Sequence, residues 1–112
     1  MEIEVEKKHV GAVIKLKGNI TGIPDDSKFN NAIQNLIAEK NKHIVVDFGE
    51  ISYVNSTGLG IIVRGYHAVK AVGGNIKLAS PNKKMQNLIE LTKLDTIFDV
   101  YESVDEALRS FE

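Results

Sequence analysis

The run His43-Ile-Val-Val-Asp-Phe48 constrains this chain more than any other segment. Successive side chains of a strand point to opposite faces, so three adjacent branched apolar residues leave neither face free for water. Such a strand belongs at the centre of a sheet that is covered on both sides. The segments around it have helical rather than strand periodicity, and strands separated by helices pair in parallel through crossover connections.

Before that run, Ile3 and Val5, then Ile14 and Leu16, alternate with polar neighbours on either side of Gly11. This is the pattern of a hairpin with one wet face. A loop is expected after Gly18. Pro24, with its preset φ, and the acidic pair Asp25 and Asp26 then open a helix whose buried stripe is Phe29, Ala32, Ile33, Leu36 and Ile37. After the central strand, Leu59, Ile62, Val63, Tyr66 and Val69 recur at helical spacing, with Arg64, His67 and Lys70 on the opposite side, up to Gly73-Gly74. A short strand over Ile76–Ala79 precedes Ser80-Pro81, which reads as an N-cap followed by proline at the first helical position. Met85, Leu88, Ile89 and Thr92 share one face of that helix. A last strand is expected over Ile97–Tyr101. Ser103-Val-Asp-Glu106 has the form of a capping box ahead of a terminal helix with Val104, Ala107, Leu108 and Phe111 inward.

The expected fold is α/β: a mixed sheet of four to five strands in the sequence order β-β-α-β-α-β-α-β-α, backed by helices. At 112 residues, 1–112 read as a single domain. The 14 basic and 15 acidic residues are dispersed, which argues against a nucleic-acid partner or an anionic membrane surface. Cysteine is absent, so disulfides, thiolate metal sites and cysteine nucleophiles are excluded together. His9, His43 and His67 lack metal-ligand spacing, and no cofactor or metal is expected. No apolar run approaches the roughly 20 residues that cross a bilayer. The Met1-Glu-Ile-Glu-Val-Glu6 start lacks the basic, then apolar, character of a signal peptide. A cytoplasmic location is the expectation.

The segment between the central strand and the amphipathic helix carries the functional information. It ends in Asn55-Ser-Thr-Gly-Leu-Gly60, which places small polar residues at a helix N-terminus, where backbone amides lack partners. As local chemistry alone, Asn55, Ser56 or Thr57 serves as an N-cap, and Gly58 and Gly60 permit tight packing.

From Ile44 to about Leu94 the chain resembles the STAS-domain anti-sigma factor antagonists of bacteria, small partner-switching proteins. The resemblance rests on the apolar strand, the Asn55–Gly60 motif with Ile61 and Ile62, Gly73-Gly74 and the Ser80-Pro81 helix start. The family usually reads Asp-Ser-Ser-Gly-Leu-Gly or Asp-Ser-Thr-Gly-Leu-Gly at the motif. The resemblance implies a serine phosphoacceptor at Ser56, with Thr57 as a secondary candidate. It implies as partners an anti-sigma factor that is also a serine kinase of the ATP-binding GHKL type, and a PP2C-type phosphatase. The unmodified antagonist would bind the anti-sigma factor and free a sigma factor for transcription, and the phosphorylated form would not. The expected contact set is Asn19, Thr21, Asp25, Asn55, Ser56, Thr57, Gly58, Leu59, Gly60, Arg64 and His67. Two departures stand out: Asn55 occupies the aspartate position, and Gly18-Asn-Ile-Thr21 replaces a frequent Gly-Glu-Leu-Asp.

No enzyme constellation is complete. Ser80-Pro-Asn-Lys83 has the Ser-x-x-Lys spacing of acyl-transfer enzymes without their companion motifs. Asp47 and Glu50 flank a strand end with no partner nucleophile. Gly58-Leu-Gly60 lacks the third glycine and the lysine of phosphate loops. A non-catalytic binding protein is therefore expected. The rival readings are an unregulated scaffold or subunit of a stress or transport complex, and an anion- or nucleotide-binding domain.

Overall fold

A computed structural model describes residues 1–112 apart from the side chain of Ile23. Its strands are β1 (Glu2–Lys7), β2 (Ala12–Ile20), β3 (His43–Val54), β4 (Asn75–Ala79) and β5 (Val100–Tyr101). Its α-helices are α1 (Ile23–Ala38), α2 (Ser56–Ala71), α3 (Lys83–Leu91) and α4 (Val104–Arg109). The strands form one sheet in the order β1-β2-β3-β4-β5. β1 and β2 are antiparallel, with Ile3 opposite Leu16 and Val5 opposite Ile14, while β2, β3, β4 and β5 run parallel. The mixed α/β sheet inferred from periodicity is the observed one.

The central run is buried on both faces because its alternate residues enter different cores. Ile44 and Val46 join Ile14, Leu16, Ile76 and Leu78 beneath α1, α2 and α3, together with Phe29, Ile62, Met85 and Phe98. Val45 joins Val13, Ala79 and Ala107 under α4. When crossovers advance along a sheet in one direction with one hand, they pile their helices on one face. The short α4 covers part of the other face.

Four boundaries differ from expectation, for three reasons. First, β2 runs on to Ile20 and β3 to Val54, where loops were expected after Gly18 and Phe48. Two irregularities in the β2–β3 register, one at Gly18 with φ of 92°, break the two-residue alternation by which a strand is recognised. Second, α3 begins at Lys83 with Asn82, not Ser80, as its N-cap. Ser80 has φ of 57°, its amide donates to the Tyr101 carbonyl and its hydroxyl to the Glu102 carbonyl, so its polar groups are taken up in joining β4 to the β5 region. Third, the last strand is confined to Val100–Tyr101, because Leu94–Thr96 forms a 3-10 turn that carries Phe98 into the core against Tyr66. Of the capping box, the Glu106 amide donating to the Ser103 hydroxyl is present at 3.1 Å.

The sheet face beyond α4 is charged. Lys17 pairs with Glu4 at 2.8 Å and Lys15 with Glu50 at 2.8 Å. The hydrogen bond and charge of Lys17 hold the Glu4 carboxyl below its ordinary pKa, and Lys15 does the same for Glu50. A carboxyl whose folded pKa is depressed adds stability above its unfolded pKa, about 4.3, and loses it as pH falls through the folded value. Lowering the pH from 6 to 3 should therefore destabilise the native protein more than the double variant Lys15→Gln/Lys17→Gln. Urea midpoints at the two pH values check this. Both pairs are exposed, so the difference should be modest and shrink in 1 M salt.

Candidate functional site

The long β2–β3 ribbon carries the Asn55–Gly60 motif to one end of the molecule and releases it directly into α2. Asn55 is the N-cap: its Oδ1 accepts from the Gly58 amide at 2.8 Å, and its carbonyl accepts from the Leu59 amide at 2.9 Å. That leaves the Ser56 and Thr57 amides at the helix tip, directed outward with the positive end of the helix dipole. Both residues are exposed.

The opposite end of the Asn55 amide binds the neighbouring loop, with Nδ2 donating to the Thr21 carbonyl at 3.2 Å. An aspartate could cap the helix but could not make this bond, so asparagine here ties the β2–α1 connection to the start of α2. Asn55→Ala should cost about 1–2 kcal/mol in urea unfolding by removing the cap. Asn55→Asp, which keeps the cap and loses the tether, should fall between that variant and the native protein.

Gly58 is glycine for a steric reason. A Cβ there would lie 2.2 Å from the Ile20 carbonyl oxygen and 2.9 Å from a Val54 methyl. A Cβ at Gly60 would meet nothing within 4 Å, so the packing role expected of both glycines holds for Gly58 alone. Leu59 is also buried, facing the core.

The remaining expected contact residues divide by exposure. Asn19 and Thr21 are exposed beside the Asn55 tether, and Arg64 and His67 continue the exposed side of α2 beyond Ser56, Thr57 and half-buried Gly60. Arg64 is bound to Asp26 at 2.8 Å, which links α2 to α1. Asp25 is buried, and its Oδ2 accepts from the Thr21 amide at 3.0 Å. Burial works against its charge. The Thr21 hydrogen bond and the Met1 amino group outweigh that effect, and the carboxyl stays below its ordinary pKa. Gly58, Leu59 and Asp25 thus support the loop from inside, while the other expected residues reach the surface.

Sequence reasoning missed the groove next to the motif. It has a volume of about 310 Å3 and lies between the end of β3 and α3, with Ser56, Tyr53, Lys84, Met85 and Leu88 among its walls. Tyr53 is 52% exposed. Asn82, also on its wall, accepts from the Met85 amide at 2.8 Å while donating to the Ile51 carbonyl at 3.1 Å. Tyr53 lay in a segment taken for loop, and no spacing rule connects Ser56 with a lysine in the next helix. Among the described residues, no helix is long and apolar enough to cross a membrane.

A family model for the STAS domain matches residues 2–107. The chain is 25% identical to the anti-sigma F factor antagonist of Paenibacillus polymyxa in an alignment of 115 positions that spans 100% of this chain and 96% of that protein. It is 33% identical over 69 residues to a Thermotoga neapolitana protein provisionally named an anti-sigma factor antagonist, a match spanning 62% of this chain and 61% of that protein. The Bacillus cell fate determinant SpoIIAA, solved in its phosphorylated form, superimposes with a TM-score of 0.77 at 19% identity, covering 99% of this chain and 100% of that one. At that identity the likeness concerns the fold. With the matched model spanning the sheet and all four helices' starts, the chain belongs to the STAS domain family.

Proposed function

We propose that this protein is an anti-sigma factor antagonist whose binding is switched by phosphate on Ser56. The observation that carries the reading is the exposure of Ser56 at the first position of α2, between an N-cap and residues held in the core. A kinase can reach this hydroxyl without unfolding the helix. Thr57, the next exposed hydroxyl, is the secondary acceptor. The names of the relatives and the phosphorylated SpoIIAA structure support the same reading.

The partner is an anti-sigma factor with GHKL-type serine kinase activity, and a PP2C-type phosphatase reverses the modification. The contact face runs from Asn19 and Thr21 through Ser56, Thr57 and Gly60 to Arg64 and His67. Phosphate adds about −1.5 to −2 charge at a helix tip whose amides and dipole favour an anion, so the fold persists. The change acts at the interface instead, where the added phosphate must lose its water.

Incubation with ATP and the cognate anti-sigma kinase, followed by mass-spectrometric mapping, should place phosphate on Ser56. Labelling elsewhere with Ser56 untouched, or no labelling by an active kinase, would overturn the proposal.

A further inference from the structure

We propose that phosphate on Ser56 is held by the protein's own Lys84, across the groove between the end of β3 and α3, making Lys84 the residue that positions the phosphorylated switch. The inference rests on Ser56 as phosphoacceptor and adds what receives the phosphate.

Ser56 and Lys84 line the same groove of about 310 Å3. Lys84 is the charged side chain among its described lining residues, and it takes part in none of the described ion pairs. The backbone beneath it is anchored. Asn82 caps α3 and binds the Ile51 carbonyl, so the first turn of α3 is tied to the strand that delivers Ser56. A lysine on a fixed base, with a flexible four-carbon stem, can follow a phosphate that swings into the groove. Val54, Met85 and Leu88 give the groove an apolar side, which strengthens the attraction between a dianion and an ammonium.

The other nearby cations are less suited. Lys83 shares the first turn of α3 but does not line the groove. Arg64 lies two turns along α2 and is already bound to Asp26 at 2.8 Å. Tyr53 is the remaining titratable group on the groove wall. A captured phosphate bridges α2 to α3 over the groove beside Tyr53, so phosphorylation alters the shape of this surface as well as its charge.

The test uses the full chain with phosphoserine installed at position 56 during synthesis, titrated by phosphorus NMR alongside its Lys84→Gln, Lys84→Arg and Lys83→Gln variants. The second phosphate ionisation of phosphoserine ordinarily falls near pH 6, and an adjacent cation lowers it. Lys84→Gln should raise the midpoint by about half a unit. Lys84→Arg should restore it, and Lys83→Gln should move it little. A shift for Lys84→Gln no larger than for Lys83→Gln, or a midpoint unchanged in all variants, would overturn the role of Lys84. No kinase enters this experiment. Its failure therefore leaves the phosphorylation switch standing, and failure of a kinase to label Ser56 leaves the titration intact.

Discussion

Phosphorylated protein should bind the anti-sigma partner at least about a hundredfold more weakly than unmodified protein, because burying a phosphate dianion against a partner that offers it no counter-charge costs several kcal/mol and each 1.4 kcal/mol is tenfold. Converting a population from 99:1 to 1:99 needs roughly 5.5 kcal/mol, which is within reach of one dianion at the centre of an interface. Ser56→Ala should retain binding and accept no label at that position. Ser56→Asp should bind with intermediate affinity, since a carboxylate carries one charge and a smaller desolvation cost. Calorimetric titration of the partner in the presence of nucleotide measures all three. Equal affinities for the phosphorylated and unmodified proteins would refute the switch. Thermal unfolding of the phosphorylated form should stay close to that of the unmodified form, because the modified group sits at a helix tip outside the core.

Gly58→Ala and Gly60→Ala, two residues apart on one helix, should change stability in opposite directions. At Gly58 the new methyl would lie 2.2 Å from the Ile20 carbonyl oxygen, a backbone atom that the β2–β3 pairing holds in place. Relief requires α2 to move off the sheet, and overpacking of this kind costs about 3 kcal/mol. At Gly60 the methyl enters open space on a helix interior position. Replacing glycine by alanine there should stabilise the protein by about 0.5–1 kcal/mol. Urea unfolding of the two variants measures the contrast, and similar effects of either sign would contradict the close approach of α2 to β2. Gly60 therefore has no internal reason to be glycine. If the contact face includes it, the more stable Gly60→Ala protein should also bind the partner less tightly, because its helix backbone is no longer bare.

The match between sequence and structure follows the range of the interactions involved. Parallel pairing of β2, β3 and β4 was legible because an apolar run with no wet face, flanked by helices, has few other solutions. The start of α2 was legible to within the three candidate caps Asn55, Ser56 and Thr57, because capping is a contact between residues three apart, here Asn55 and Gly58. The start of α3 was misread by two residues. Ser80 has the composition of a cap, but its hydroxyl is used by Glu102, a partner 22 residues away. The Ser56 environment was legible to the same degree: its exposure follows from the helix tip, but the groove beside it does not.

Periodicity, caps and helix stops are written in near-neighbour spacing, and on that basis the chain by itself determined its element order, its mixed sheet and the helix tip that presents Ser56. Tertiary structure alone decided the bulged extension of β2 and β3, the steric demand for Gly58, the tether from Asn55 to Thr21 and the groove shared by Ser56 and Lys84. Each of these joins residues far apart in the chain. Their meeting depends on strand register and helix docking, which the composition of either partner segment does not specify.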